Sequence, residues 1–193
     1  MLSHLKKYKI LLASNSPRRR ELLAGLDIDY RVTALPEVDE SYPDTLSGEE
    51  IPLYISQEKA AAYRRFMKDN TLLITADTIV WLDGKVYGKP RDIADAKAML
   101  QALSGKTHTV ITGVTLTSLQ KQISFTVSTE VTFAALGDDE IDYYVEKYRP
   151  LDKAGAYGVQ EWIGYIGVTG LKGSYYNVMG LPIQRLYTEL KKF

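Results

Sequence analysis

Ile10-Leu11-Leu12-Ala13 is a short apolar run that passes without a linker into Ser14-Asn15-Ser16-Pro17. A run of this length, preceded by lysine and followed by polar turn residues, reads as a buried strand. Ser16 is a good N-cap, and Pro17 suits the first helical position, where its missing N–H would go unpaired anyway. Leu22, Leu23 and Leu26 then recur at helical spacing. A chain that opens as strand, tight loop and helix covers a sheet with helices, and the fold class that follows is α/β.

The remaining pattern supports that class. Tyr30 to Thr33 reads as a second strand, and residues 36–48, rich in Pro, Asp, Glu, Ser and Gly, as a polar loop. Ile51, Tyr54, Ile55, Ala62 and Phe66 mark one long helix over Glu49 to Lys68. Leu72 to Ala76 is a buried strand, and Asp83-Gly84 centres a hairpin. Asp95 to Leu103 carries one apolar helical face and stops at Gly105. Thr107 to Thr117 and Gln122 to Phe133 are β-branched and read as two long paired strands. Asp138-Asp139-Glu140 places acids at the positive end of a helix. Trp162 to Val168 reads as a strand, and Pro182 to Lys191 as an amphipathic helix. Interleaved helices with several hairpins imply a mixed twisted sheet flanked by helices. A length of 193 residues suits a single domain spanning 1–193.

Composition removes several chemistries. There is no cysteine, hence no thiol nucleophile and no thiolate metal site. His4 and His108 are the only histidines, too few for a histidine-built zinc site, and a Ser-His-Asp triad is equally hard to build. A catalytic metal would be a hard divalent cation, Mg or Mn, held by carboxylate and phosphate oxygens. Charges balance at 24 basic and 24 acidic residues, which does not suit a nucleic-acid or membrane-surface binder. The N-terminal stretch lacks an apolar run of membrane or signal length, so the expectation is a cytoplasmic protein.

Five clusters can carry chemistry. Ser14-Asn15-Ser16-Pro17-Arg18-Arg19-Arg20-Glu21 combines a helix N-terminus, hydroxyls and guanidinium groups, all suited to phosphate. Taken alone it also reads as a capped surface helix. Asp77-Thr78 follows a buried strand, where α/β ligands gather, and a carboxylate there can bind metal or activate water. Lys89, beside Pro90, can point a charge at phosphate, as can Lys59, although both also read as solvated lysines. Asp152 to Gln160 is a glycine-loosened run ending in an amide that can read a base edge. Gly173 to Pro182 reads as a structural turn and helix entry with a supporting role, or as part of a nucleotide pocket.

In combination these segments resemble the Maf family of nucleotide pyrophosphatases. Leu12 to Leu23, Ala76 to Val80, Gly88 to Pro90, Ala98 to Leu100, Leu103 to Gly105, His108 to Val110, Asp152 to Gln160 and Gly173 to Pro182 fall in that family's order across nearly the whole chain. The resemblance implies a fold like that of the inosine-triphosphate pyrophosphatases, a homodimer, a divalent metal cofactor, and cleavage of a nucleoside triphosphate to monophosphate and pyrophosphate. Arg18, Arg19, Asp77-Thr78 and Gln160 match the subgroup that prefers dTTP and UTP. By the same resemblance Asp77 is the general base or a metal ligand, and Ser14, Arg19, Lys59 and Lys89 contact phosphate. Arg18, Thr78 and Gln160 select the base, and Glu40 helps hold metal, with Asp39 and Glu37 as alternatives. Rival readings are a pyrophosphatase for modified purine triphosphates and a nucleotide-binding regulator of septum formation.

Overall fold

The computed structural model describes residues 2–34 and 38–193. Among them the chain runs β1 (Lys9–Ala13), α1 (Pro17–Ala24), β2 (Tyr30–Thr33), α2 (Glu50–Arg64), β3 (Thr71–Leu82), β4 (Lys85–Tyr87), α3 (Ile93–Leu103), β5 (Thr107–Thr117), β6 (Gln122–Phe133), α4 (Asp138–Tyr148), α5 (Trp162–Gly167), β7 (Val168–Lys172), α6 (Tyr175–Val178) and α7 (Ile183–Leu190). The strands form a sheet in the order β2-β1-β3-β5-β6-β7, with β4 paired to β3. β1 pairs in parallel with both β2 and β3. β3 with β4, and β6 with β7, pair antiparallel, so the sheet is mixed.

Contacts divide the chain into two compact units. The first holds residues 1–77, 112–127 and 180–193, and the second holds 78–111 and 128–179. β3, β5 and β6 each run through from one unit into the other.

In the first unit α2 lies on the sheet, with Ala60 packed among Ala13 and Leu73, and Leu11, Tyr63 and Met67 around them. Small residues allow this closeness. A side chain at Gly113 of β5 would put its first carbon 2.3 Å from the Pro52 carbonyl oxygen, so only glycine lets helix and strand meet here. Hydroxyls then lock the pair. Thr75 Oγ1 donates to the Ser56 carbonyl at 2.7 Å, and the Ser56 and Thr115 hydroxyls are 2.8 Å apart. All three side chains are buried, so each bond replaces one that water no longer provides.

In the second unit α3 packs on α4, burying Ala96, Leu100, Leu103, Ile141, Tyr144 and Val145. The β3–β4 hairpin turns on Asp83 and Gly84 with φ of 51° and 76°, the left-handed pair that a two-residue turn of this hand requires. Among the described residues no helix is long and apolar enough to cross a membrane.

Three sequence-derived boundaries need correction. The helix expected over Glu49 to Lys68 ends at Arg64, leaving Phe66 exposed beyond it. The strand expected to stop at Ala76 continues to Leu82, because Thr78-Ile79-Val80 extends the β-branched run. Asp77 and Thr78 therefore sit within β3 rather than in a loop after it. Trp162 to Val168 is not a strand, because Trp162–Gly167 is a short helix and β7 begins at Val168. Glycine decides that segment: a first side-chain carbon at Gly164 would lie 1.9 Å from the Val159 carbonyl oxygen, so the turn closes against the preceding loop. Apolar content alone does not separate a short buried helix from a strand.

Candidate active site

The strand-to-helix turn after β1 is built from hydroxyls. Ser14, only 3% exposed, accepts a bond from the Ser16 N–H at 3.2 Å. Ser16 caps α1 by accepting from the Arg19 N–H at 3.4 Å, and Pro17 occupies the first turn. Arg18 is half-buried and Arg20 exposed.

Arg19 is anchored rather than waving in solvent. Its Nε donates to the Gly180 carbonyl at 2.8 Å and its Nη1 to the Ala76 carbonyl at 2.9 Å. The guanidinium thus ties α1 to the residue before Asp77 and to the turn before α7. Burial pulls its pKa below the ordinary arginine value, while Asp77 and then Glu40 pull it back up. Arginine stays cationic through such opposed effects.

Lys59 lies in the middle of α2 and is 4% exposed. Its Nζ is 2.8 Å from Asp77 Oδ1 and 2.9 Å from Glu40 Oε1. Asp77 is itself buried, only 8% exposed, while the Glu40 side chain is 47% exposed. One ammonium group therefore gathers a strand carboxylate and a loop carboxylate. Asp39 is spent locally, accepting from the Ser41 N–H and hydroxyl at 2.9 and 2.8 Å, bonds that hold its carboxyl below the usual range. Glu37 lies outside the described residues.

Of the sequence-predicted site residues, the structure brings Arg19, Glu40, Lys59 and Asp77 together in the first unit, with Ser14 at the adjoining turn. Thr78, Lys89 and Gln160 belong to the second unit. Thr78 is half-buried on β3, and Lys89 is exposed beside buried Pro90. The Gly88 carbonyl next to Lys89 accepts from the Gly155 N–H at 3.0 Å. The Gln160 Oε1 atom is buried without a hydrogen-bond partner.

The donor set fits a hard cation. Asp77 and Glu40 present carboxylate oxygens to one positively charged centre, and magnesium sites commonly use one or two carboxylates with phosphate oxygens and water. No group of three or more His, Cys, Asp or Glu side chains is placed to hold a metal among the described residues.

Over residues 9–193 the chain matches the family described as Maf-like protein. It belongs to the Maf family. This Maf chain is 68% identical to the dTTP/UTP pyrophosphatase of Phocaeicola vulgatus and 65% identical to that of Bacteroides thetaiotaomicron, each over the full length of both chains. A dTTP/UTP pyrophosphatase of Flavobacterium psychrophilum is 49% identical, over 94% of this chain and 93% of its own. Among solved structures, the Ham1 protein of Staphylococcus aureus shares the fold with a TM-score of 0.53 at 20% identity, over 94% of this chain and 99% of that one. The HAM1 protein of Coxiella burnetii does so at 0.52 and 17%, over 96% and 100%.

The Maf sequence motifs pointed to the charged residues but not to what holds them. Ser56, Thr75, Thr115 and Gly113 fix the helix that carries Lys59, and none stood out in the sequence. A lone glycine inside a β-branched run was the available signal for Gly113.

Proposed function

We propose that this chain hydrolyses dTTP and UTP to the monophosphate and pyrophosphate. The observation that carries the reading is the buried Lys59 bridging Asp77 and Glu40, with Arg19 beside them, in a chain so similar to relatives named dTTP/UTP pyrophosphatase. Buried mixed charge of this kind is costly to fold, and a site of this kind in a chain with such relatives supports a functional role.

The substrate carries about four negative charges, so fixed cations must offset charge that grows on the leaving group. In the first unit Arg19, Lys59 and the Ser14 hydroxyl would bind phosphate, and Arg18 would assist selection. In the second unit Lys89 would bind phosphate, while Thr78 and Gln160 would select the base. A Mg or Mn ion, held by Asp77 and Glu40, would supply charge neutralisation and Lewis acidity when bound. Asp77 orients a water and takes its proton as the water oxygen bonds to the α-phosphorus. The bond from that phosphorus to the bridging oxygen breaks, and its electron pair leaves on pyrophosphate. Pyrophosphate is a stable leaving group, so no histidine acid is needed. The same reading places the enzyme in the cytoplasm as a homodimer with one domain spanning 1–193, without nucleic-acid or membrane partners.

The test is release of pyrophosphate by purified protein with Mg or Mn, across canonical and modified triphosphates, in heavy-oxygen water. The expected result is fast release from dTTP and UTP, with heavy oxygen in the monophosphate. Release confined to modified purine triphosphates overturns the base assignment. Tight binding without release favours the regulatory role instead.

A further inference from the structure

Gln160 ends a loop held by a network that the phosphate chemistry does not use. Tyr144, fully buried on α4, accepts from the Gly158 N–H at 3.0 Å and donates to the Glu161 carboxylate. The other Glu161 oxygen is 3.2 Å from Lys153 Nζ, which also holds Asp152 Oδ1 at 2.8 Å. Glu161 N–H closes the turn on the Gly158 carbonyl at 3.0 Å. The carboxylate is folded so closely beneath the loop that a side chain on Gly158 would meet Glu161 Cδ at 2.9 Å. Burial, and then the bond to Glu161, push the phenol pKa up, so Tyr144 stays a donor.

Locking this loop has a chemical consequence for the residue it carries. A glutamine amide has one acceptor and one donor edge. Uracil and thymine offer the N3–H donor beside the O4 acceptor. Cytosine offers the reverse, an N3 acceptor beside an N4 amino donor. An amide free to turn over matches either base equally well. It can prefer the 4-oxo pyrimidines only if its orientation is fixed, so that the wrong base leaves buried groups unpaired. Gln160 Oε1 is buried without a partner, an acceptor held ready for a donor.

Resting on the function proposed above, we infer that Tyr144, Glu161 and Lys153 are positioning residues that fix the Gln160 amide and set the preference for 4-oxo over 4-amino pyrimidine triphosphates. Tyr144→Phe removes one hydroxyl from a side chain that is fully buried. The experiment compares kcat/KM for UTP and CTP in wild type, Tyr144→Phe, Gln160→Ala and the double variant, with Tm recorded for each. The expected result is a UTP-to-CTP ratio lowered by about tenfold in Tyr144→Phe, with no further change when it is added to Gln160→Ala. A general structural loss would lower both rates together and leave their ratio unmoved. A wild-type ratio in Tyr144→Phe overturns the inference, as does an equal effect in the Gln160→Ala background. If Tyr144→Phe does not fold, Glu161→Gln carries the same test. Wild-type protein that releases pyrophosphate equally from UTP and CTP overturns this inference alone. Wild-type protein that releases none overturns the function beneath it.

Discussion

Lys59 Nζ and Asp77 Oδ1 lie 2.8 Å apart, one in the middle of α2 and the other in the middle of β3. Both are buried, and their elements are pinned to each other two and three residues earlier, by the Thr75 hydroxyl on the Ser56 carbonyl. The pair is therefore placed by the rigid frame of the first unit. Rigid placement is what the proposed chemistry needs, since small misplacements cost rate steeply.

Removing the shared cation should cost stability as well as rate. Lys59→Met leaves Asp77 with no ammonium partner and takes from Glu40 the same one. Breaking a buried ion pair from one side typically costs ~3–5 kcal/mol, and the exposure of Glu40 puts the expectation at the low end, ~3 kcal/mol. Chemical denaturation of both proteins checks this. An unchanged midpoint would mean that the ion pair is solvated and weak.

Gly113→Ala should act on the site from a distance. The new methyl must push α2 off β5 at Pro52, a backbone clash that no rotamer change relieves. Overpacking of this sort costs ~1–3 kcal/mol. Thermal unfolding reads that loss, and kcat should fall with it because α2 carries Lys59. A variant as stable and active as wild type would show that the helix slides freely.

His108 gives the fold a pH dependence of predictable sign. It is 1% exposed, its Nε2 is 2.7 Å from the Tyr157 hydroxyl, and burial lowers its pKa to about 4. The unfolded chain takes up this proton near pH 6.5 and the folded chain only near 4. The contribution to stability is thus full above pH 6.5 and is lost as pH falls toward 4, by at most ~3 kcal/mol. Tm measured between pH 7 and 4 should fall less steeply in His108→Gln than in wild type. Parallel slopes would contradict the assignment.

What the sequence disclosed was chemistry near the backbone. Ser16-Pro17 announced the start of α1, Asp83-Gly84 the hairpin, and the β-branched runs of β5 and β6 their full extent. Long-range pairings were hidden, because nothing in Glu58-Lys59-Ala60 says which face of α2 is buried against a carboxylate 18 residues away. Lys59 read in isolation as a solvated lysine, and only the Maf resemblance singled it out. The Glu40 assignment depended on a loop whose three acids look alike in sequence; Asp39 turns out to be occupied by Ser41. Trp162 to Val168 misled because apolar content without clear periodicity fits either a short helix or a strand. The Tyr144–Glu161 bond joins residues 17 apart and left no local trace.

The most direct test of the account is the steady-state rate of pyrophosphate release from UTP by Asp77→Asn, beside wild type, with Tm measured on both. Asn keeps the shape and an acceptor for Lys59 but cannot take a proton. The account predicts a kcat reduced by at least ~10²-fold with the fold retained. Near-normal turnover by a folded Asp77→Asn protein would contradict it and remove Asp77 from the chemistry.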